Sequence, residues 1–94
     1  MAAMILDVRL PGARSLKEKR SVLRPILERL QRRFGVSVAE VAHQDLRQRA
    51  GLGVAAVSGS GAVLGRLLDD VERFVWAQPD VEVLEVRRCW LETD

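Results

Sequence analysis

Two stretches with helical hydrophobic periodicity, each set between short stretches rich in valine and alanine, leave this chain very few possible folds. Apolar residues from Val22 to Phe34 step by one, three and four positions, which gives one continuous stripe along a helix. A second stripe of the same kind runs from Val63 to Val75. Because 94 residues suffice for one domain only, both helices must bury their stripes in a single shared core.

The ends of the first helix can be read from the sequence. Ser15 and Glu18 have the spacing of a capping box, in which each side chain accepts a hydrogen bond from the backbone amide of the other residue. Gly35 suits the left-handed position that follows a helix. We therefore predict a helix over residues 16–34, with a kink where Pro25 removes a backbone hydrogen bond.

Stretches that are alternating or rich in β-branched residues predict four strands, at residues 4–10, 36–41, 52–57 and 81–91. The alternation slips in phase before Val41, which predicts a bulge or a strand covered on both faces. Both alternating sets of residues 52–57 are apolar or small, which predicts cover on both faces of that strand. The order β-α-β-β-α-β favours a four-stranded antiparallel sheet with both helices on one face. We therefore predict one ferredoxin-like α+β domain over residues 1–94.

Composition argues against several classes of function. Cys89 is the one cysteine and His43 the one histidine, so neither an intramolecular disulfide nor a zinc cluster is expected. The apolar runs are far shorter than the roughly 18 residues of a membrane helix, and Asp7 interrupts the apolar amino terminus. We therefore expect a cytosolic protein without a membrane contact, a metal or a cofactor.

Positive charge is concentrated in the first half of the chain. Residues 1–50 contain 11 Lys or Arg against 5 Asp or Glu, whereas residues 51–94 contain 4 against 8. In the first helix, Lys17, Arg24, Glu28 and Arg32 lie within about 80° of one another, opposite the apolar stripe. Such a face suits phosphate groups, and it equally suits bulk solvent or the acidic half of a second copy. The candidate RNA-binding residues are Arg14, Lys17, Lys19, Arg20, Arg24, Arg32 and Arg33.

A polar cluster lies at the predicted hairpin between the second and third strands. His43 and Asp45 are two positions apart in a strand, so they would share a face as a general base and its orienting carboxylate. No nucleophile, acid pair or metal cluster completes such a site, so we expect a binding protein and not an enzyme. Cross-strand pairing with Arg9 or Arg49 explains the same residues. The members of the cluster are His43, Gln44, Asp45, Arg47 and Arg49.

The face of the sheet that is predicted to be exposed carries apolar residues and no aromatic ones. Ile5 and Val57 lie on it, and the lack of aromatic side chains argues against the base stacking that RRM domains use. An uncovered apolar face of this kind predicts contact between two subunits. We therefore expect a homodimer.

The glycines before the second helix resemble a dinucleotide-binding fingerprint. Gly59-Ser60-Gly61, followed by Gly65, connects a predicted strand to a predicted helix. A dinucleotide site needs two adjacent parallel strands, which the predicted sheet does not provide. We therefore predict a plain turn with a helix N-terminus.

The chain contains three stretches that point to one family: RLPGARSLKEKRSVL, FGVSVAEVAHQDLRQRAGLGVAAVS and the closing FV-x3-P-x-V-E-V-L-E-V segment. Along nearly the whole chain they resemble the YlxP-like family of bacterial proteins, a domain family of unknown function. The resemblance implies a ferredoxin-like fold and genes that often lie beside those for translation initiation and ribosome-binding factor A. Pro25 and Gly59-Ser60-Gly61 depart from the family pattern. The positions that match the family pattern are Leu16, Lys17, Lys19 and Arg20 at the start of the first helix, and Glu40, His43, Gln44, Asp45, Gln48 and Arg49 around the second strand.

Together these features predict a translation- or ribosome-associated RNA-binding accessory factor that contacts ribosomal RNA or the ribosome through its basic first helix. The resemblance supplies the link to translation, and the residues supply the basic surface. The alternative is a homodimeric protein-interaction or small-ligand regulatory module without RNA binding, because β-α-β-β-α-β dimers are also common scaffolds for such modules.

Overall fold

The computed structural model of the chain describes residues 1–91 and contains six elements in the order β-α-β-β-α-β. The sheet has the strand order β2-β3-β1-β4, and each neighbouring pair is antiparallel. The predicted ferredoxin-like α+β fold is therefore confirmed. The bounds of the elements are β1 Ala2–Arg9, α1 Leu16–Phe34, β2 Ser37–Ala42, β3 Arg49–Ala56, α2 Gly61–Trp76 and β4 Glu82–Trp90.

The core lies between the sheet and the two helices. Met4 and Leu6 of β1 and Leu52 of β3 are fully buried against them. Phe34 and Phe74 close the gap between the helices with an edge-to-face contact whose ring centroids are 5.8 Å apart. The helices contribute the central part of each predicted apolar stripe, namely Leu23, Ile26, Leu30, Leu64, Leu68, Val71 and Val75.

The bounds of α1 match the prediction, but one half of its capping box differs. The Ser15 hydroxyl accepts a hydrogen bond from the Glu18 amide at 3.1 Å, as predicted. The Glu18 carboxylate accepts from the amide of Arg14 and not from that of Ser15. Gly35 has a φ of 65° and ends the helix as predicted. The helix continues through Pro25, which is exposed, and the kink stays a prediction.

The strands differ from the prediction in one respect that matters for function. A bulge interrupts β2 between Glu40 and Ala42, as the phase slip before Val41 predicts. In β3 the side chains on one face are buried under the helices, but Ala55 on the other face is exposed. Val57, just beyond the strand, is 78% exposed. The prediction that both faces of β3 are covered is therefore wrong within this chain, because the two helices lie on the same side of the sheet.

Neither helix in the described part of the chain is long and apolar enough to cross a membrane.

Candidate nucleic-acid interface

The first helix presents a continuous surface of exposed cations, which we call the α1 basic surface. Leu23, Ile26 and Leu30 hold one side of α1 against the core, so the helix turns its charged positions toward solvent. Exposure of the charged heads is therefore a direct result of the spacing of the apolar residues. The α1 basic surface consists of Arg14, which lies just before the helix, and of Lys17, Arg20, Arg24, Arg29, Arg32 and Arg33 within it, all of them exposed.

No cation of the α1 basic surface forms an ion pair with a carboxylate of residues 1–91. Five other arginines do pair with carboxylates, at distances from 2.7 to 4.0 Å. At Arg88 burial opposes the charge, but the hydrogen bonds that the guanidinium donates to Asp69 and Glu72 outweigh it and raise the pKa of the guanidinium. The uncompensated positive charge of the described chain is thus concentrated on α1. The five paired arginines are Arg9, Arg49, Arg73, Arg87 and Arg88.

Lys19 does not belong to this surface, and the prediction that it contacts RNA is wrong. Its side chain is 0% exposed because position 19 lies on the same side of the helix as Leu23. Glu40 Oε2 at 2.7 Å and four backbone carbonyl oxygens lie within hydrogen-bonding distance of the ammonium and share its three N–H donors, so no phosphate can reach it. The carbonyls belong to His43 at 3.0 Å, Gln44 at 3.2 Å, Leu46 at 2.6 Å and Arg49 at 3.2 Å.

Arg33 is exposed but is already engaged with its own chain. Its guanidinium carbon lies 5.2 Å from the centroid of the Phe34 ring and 6.0 Å from that of Phe74. A cation over the face of an aromatic ring is attracted by the electrons of the ring. Arg33 therefore helps to join α1 to α2, and the remaining six cations form the accessible part of the α1 basic surface.

The predicted polar hairpin is a loop folded around the Lys19 ammonium. Its carbonyls point inward to the lysine, and His43 adopts a left-handed backbone conformation with a φ of 58°. The Gln44 side-chain amide donates to the Glu40 carbonyl at 3.0 Å, and that of Gln48 donates to the carbonyls of Pro11 and Ala13 at 3.3 Å. Asp45 and Arg47 are exposed at the tip. Most of the cluster therefore holds backbone in place.

His43 and Asp45 do not share a strand face as expected, because β2 ends at Ala42 and both residues lie in the loop that follows it. The carboxylate beside His43 is that of Asp7 in β1, with Nε2 and Oδ1 4.0 Å apart. Arg49 pairs across strands through Nη2 to Asp7 Oδ2 at 2.7 Å, and not with His43 or Asp45 as expected. Arg9 pairs instead with Glu82 at 2.8 Å. Sequence reasoning missed Asp7 as a partner, although its place among the outward-facing residues of β1 was a usable signal.

Neither the glycine-rich turn nor a metal cluster adds a second site in residues 1–91. Ser60 caps α2 by accepting from the Val63 amide at 3.3 Å. The strands on either side of α2 are β3 and β4, which β1 separates in the sheet, so the parallel pair of a dinucleotide site is missing there. No group of three or more His, Cys, Asp or Glu side chains in this range is placed to hold a metal ion.

Comparison with known proteins places the chain in a family. The model of DUF503, described as a protein of unknown function, matches residues 1–88, so the chain belongs to the DUF503 family. The chain is also similar to the uncharacterized protein YlxP of Bacillus subtilis (strain 168). The two are 44% identical over 78 residues, which are 83% of this chain and 85% of that protein. The resemblance to the YlxP-like family is therefore confirmed.

Proposed function

We propose that this DUF503 protein is a cytosolic RNA-binding accessory factor of translation or of the ribosome, that it is not an enzyme, and that RNA binds to the α1 basic surface. The observation that carries the proposal is the set of exposed cations on α1 that have no carboxylate partner in residues 1–91. The link to translation rests on the resemblance to the YlxP-like family.

The unpaired charge on α1 has an energetic disadvantage that a polyanion removes. Lys17, Arg20 and Arg24 follow one another at intervals of three and four, which places like charges side by side on the helix. Each such pair destabilises a helix by about 0.2–0.5 kcal/mol. Glu28, which is four residues from both Arg24 and Arg32, offsets part of this repulsion. Bound phosphates would turn the same repulsion into attraction and release counterions from the nucleic acid.

The dimensions and chemistry of α1 also suit a nucleic-acid strand. Its 19 residues extend over about 28 Å, and most of its cations are arginines. The planar guanidinium group binds phosphate through two parallel hydrogen bonds and can stack on bases. The sheet face, which lacks aromatic side chains, offers no comparable platform for stacking.

Fluorescence anisotropy with structured ribosomal RNA fragments tests the proposal. With six phosphate contacts, the affinity should fall about a thousandfold between about 50 and 200 mM salt. A variant with Arg20, Arg24 and Arg32 all changed to Glu should lose binding. The matched control changes Arg66, Arg73 and Arg87 to Glu, which alters the net charge equally on other elements and should retain most of the affinity. If both variants lost the same amount of affinity, net charge alone would explain the loss, and an RNA-binding surface on α1 would be refuted.

A second candidate function rests on the uncovered face of the sheet. Ile5, Val41 and Ala55 form an apolar patch there around a shallow depression of about 430 Å³. Contiguous exposed apolar area of this kind usually marks an interface, and it supports the alternative of a homodimeric interaction module. Light scattering at micromolar concentration measures the mass directly. A monomer would refute the homodimer, and a dimer whose mass falls to that of a monomer in Ile5→Lys would support it.

A further inference from the structure

A groove of about 240 Å³ runs between α1 and β2. Leu23, Leu27 and Val38 form its apolar floor, where the helix packs on the edge strand of the sheet. Arg20 and Arg24 stand on its rim and belong to the α1 basic surface. The groove therefore has an apolar floor directly beside cations that form no ion pair with a carboxylate of residues 1–91.

The groove also contains groups that can form directional hydrogen bonds. Gln31, Glu28 and Glu40 line it, which adds one amide and two carboxylates to the apolar floor. Glu40 is fixed in place because its Oε2 accepts from the buried Lys19 ammonium at 2.7 Å. Its Oε1 has no hydrogen bond within residues 1–91 and is left to accept one. The two carboxylates would repel a phosphate group inside the groove. The arginines on the rim would attract a phosphate group to the outside of the groove.

We infer that this groove receives one unstacked base of a single-stranded RNA segment whose phosphates contact Arg20 and Arg24. The inference rests on the proposed function and gives it a substrate class. Single-stranded RNA is read by splaying out bases, stacking them on aromatic rings or guanidinium planes and hydrogen-bonding to their edges. The rim arginines provide guanidinium planes and phosphate contacts, the aliphatic floor provides van der Waals contact, and the three polar side chains provide the edge contacts.

The polar groups further select among the bases. A carboxylate accepts hydrogen bonds, so it favours a base edge that carries an exocyclic amino group, as at N4 of cytosine. Uracil has a carbonyl oxygen at the corresponding position, which a carboxylate repels. Cytosine should therefore bind better than uracil, although the phosphates of the two strands are identical.

The test compares oligocytidine with oligouridine of equal length by fluorescence anisotropy at a fixed salt concentration. We expect the wild-type protein to bind oligocytidine about tenfold more tightly, within the range of discrimination that one well-placed edge contact gives. Gln31→Trp fills the groove without changing charge, and this variant should bind both oligonucleotides equally. The matched control Val63→Trp places the same side chain on an exposed position of α2 and should keep the preference.

The outcomes separate this inference from the proposed function. Equal binding of the two oligonucleotides by the wild-type protein would overturn the base groove while leaving RNA binding by α1 intact. If the wild-type protein bound neither oligonucleotide and no ribosomal RNA fragment, both the base groove and the proposed RNA-binding function would be overturned. If a polyglutamate peptide bound in place of RNA, and Gln31→Trp abolished that binding, the groove would belong to an acidic protein partner and the inference would also fail.

Discussion

Replacing Lys19 by methionine removes the charge at the most completely buried polar group of the core while keeping most of the side-chain volume. The ammonium is 0% exposed and lies within hydrogen-bonding distance of five oxygens, of which Glu40 Oε2 and the Leu46 carbonyl are the closest at 2.7 and 2.6 Å. Lys19→Met leaves all five acceptors without this donor. The change therefore tests whether one lysine holds the loop between β2 and β3.

The expected loss can be worked out from these contacts. Removing one partner of a buried ion pair costs about 3–5 kcal/mol, because the other charge is left without compensation. The Glu40 side chain is 17% exposed, so water relieves part of the penalty and the lower end of that range applies. For a domain of this size about 3 kcal/mol lowers the Tm by more than roughly 10 °C. Changing Glu40 to Leu as well should restore part of the stability, since it removes the uncompensated carboxylate.

Chemical denaturation followed by circular dichroism measures the free energy of unfolding of each variant. Lys17→Met is the matched control, because Lys17 is on the same helix and is exposed. Surface substitutions of this kind usually change stability by no more than about 0.5 kcal/mol. If Lys19→Met lost less than about 1 kcal/mol, or no more than Lys17→Met, the account of the buried lysine would be refuted.

Three smaller perturbations test the backbone around the site, each by the same unfolding measurement. Gly51→Ala should destabilise the sheet by about 1–3 kcal/mol, because the added Cβ would lie 2.7 Å from that of Ala42 and neither atom can rotate away; an unchanged stability would mean that the bulge yields freely. Gly35→Ala should cost about 1–2 kcal/mol through its left-handed φ of 65° alone, since the space around it is open. Ser15→Ala should cost about 1 kcal/mol by removing the cap on the Glu18 amide, and no loss would show that the cap is dispensable.

Local patterns were sufficient to predict the fold. The apolar stripe of α1, its cap at Ser15 and the glycine at position 35 act over a few residues, so the helix bounds follow from the sequence. The phase slip before Val41 likewise corresponds to a real bulge. Whether the outer face of β3 is buried could not be inferred in the same way. A run of small apolar residues such as Ala55 occurs both in strands with two buried faces and in strands with one exposed face.

The candidate site was only partly predictable, because the predictions that were wrong concern contacts between residues that are distant in sequence. Lys19 reads as one more cation of a basic helix, and only the folded chain brings it under the hairpin 21 or more residues away. Asp7 pairs with Arg49, which lies 42 residues later in the chain. No local spacing shows that Asp7, and not Asp45, is the carboxylate beside His43. Charge and periodicity predict which face of a helix is basic, whereas pairing partners depend on sheet register.

The dependence of RNA affinity on salt tests the central claim most directly. A single-stranded RNA that neutralises cations of α1 gives a slope in log affinity against log salt of about −0.7 for each phosphate contact. Changing Lys17, Arg24 and Arg32 to Gln should therefore reduce the steepness of that slope by about 2, together with a loss of affinity. Identical slopes for the wild-type protein and this variant would contradict the claim that the α1 basic surface holds the phosphates.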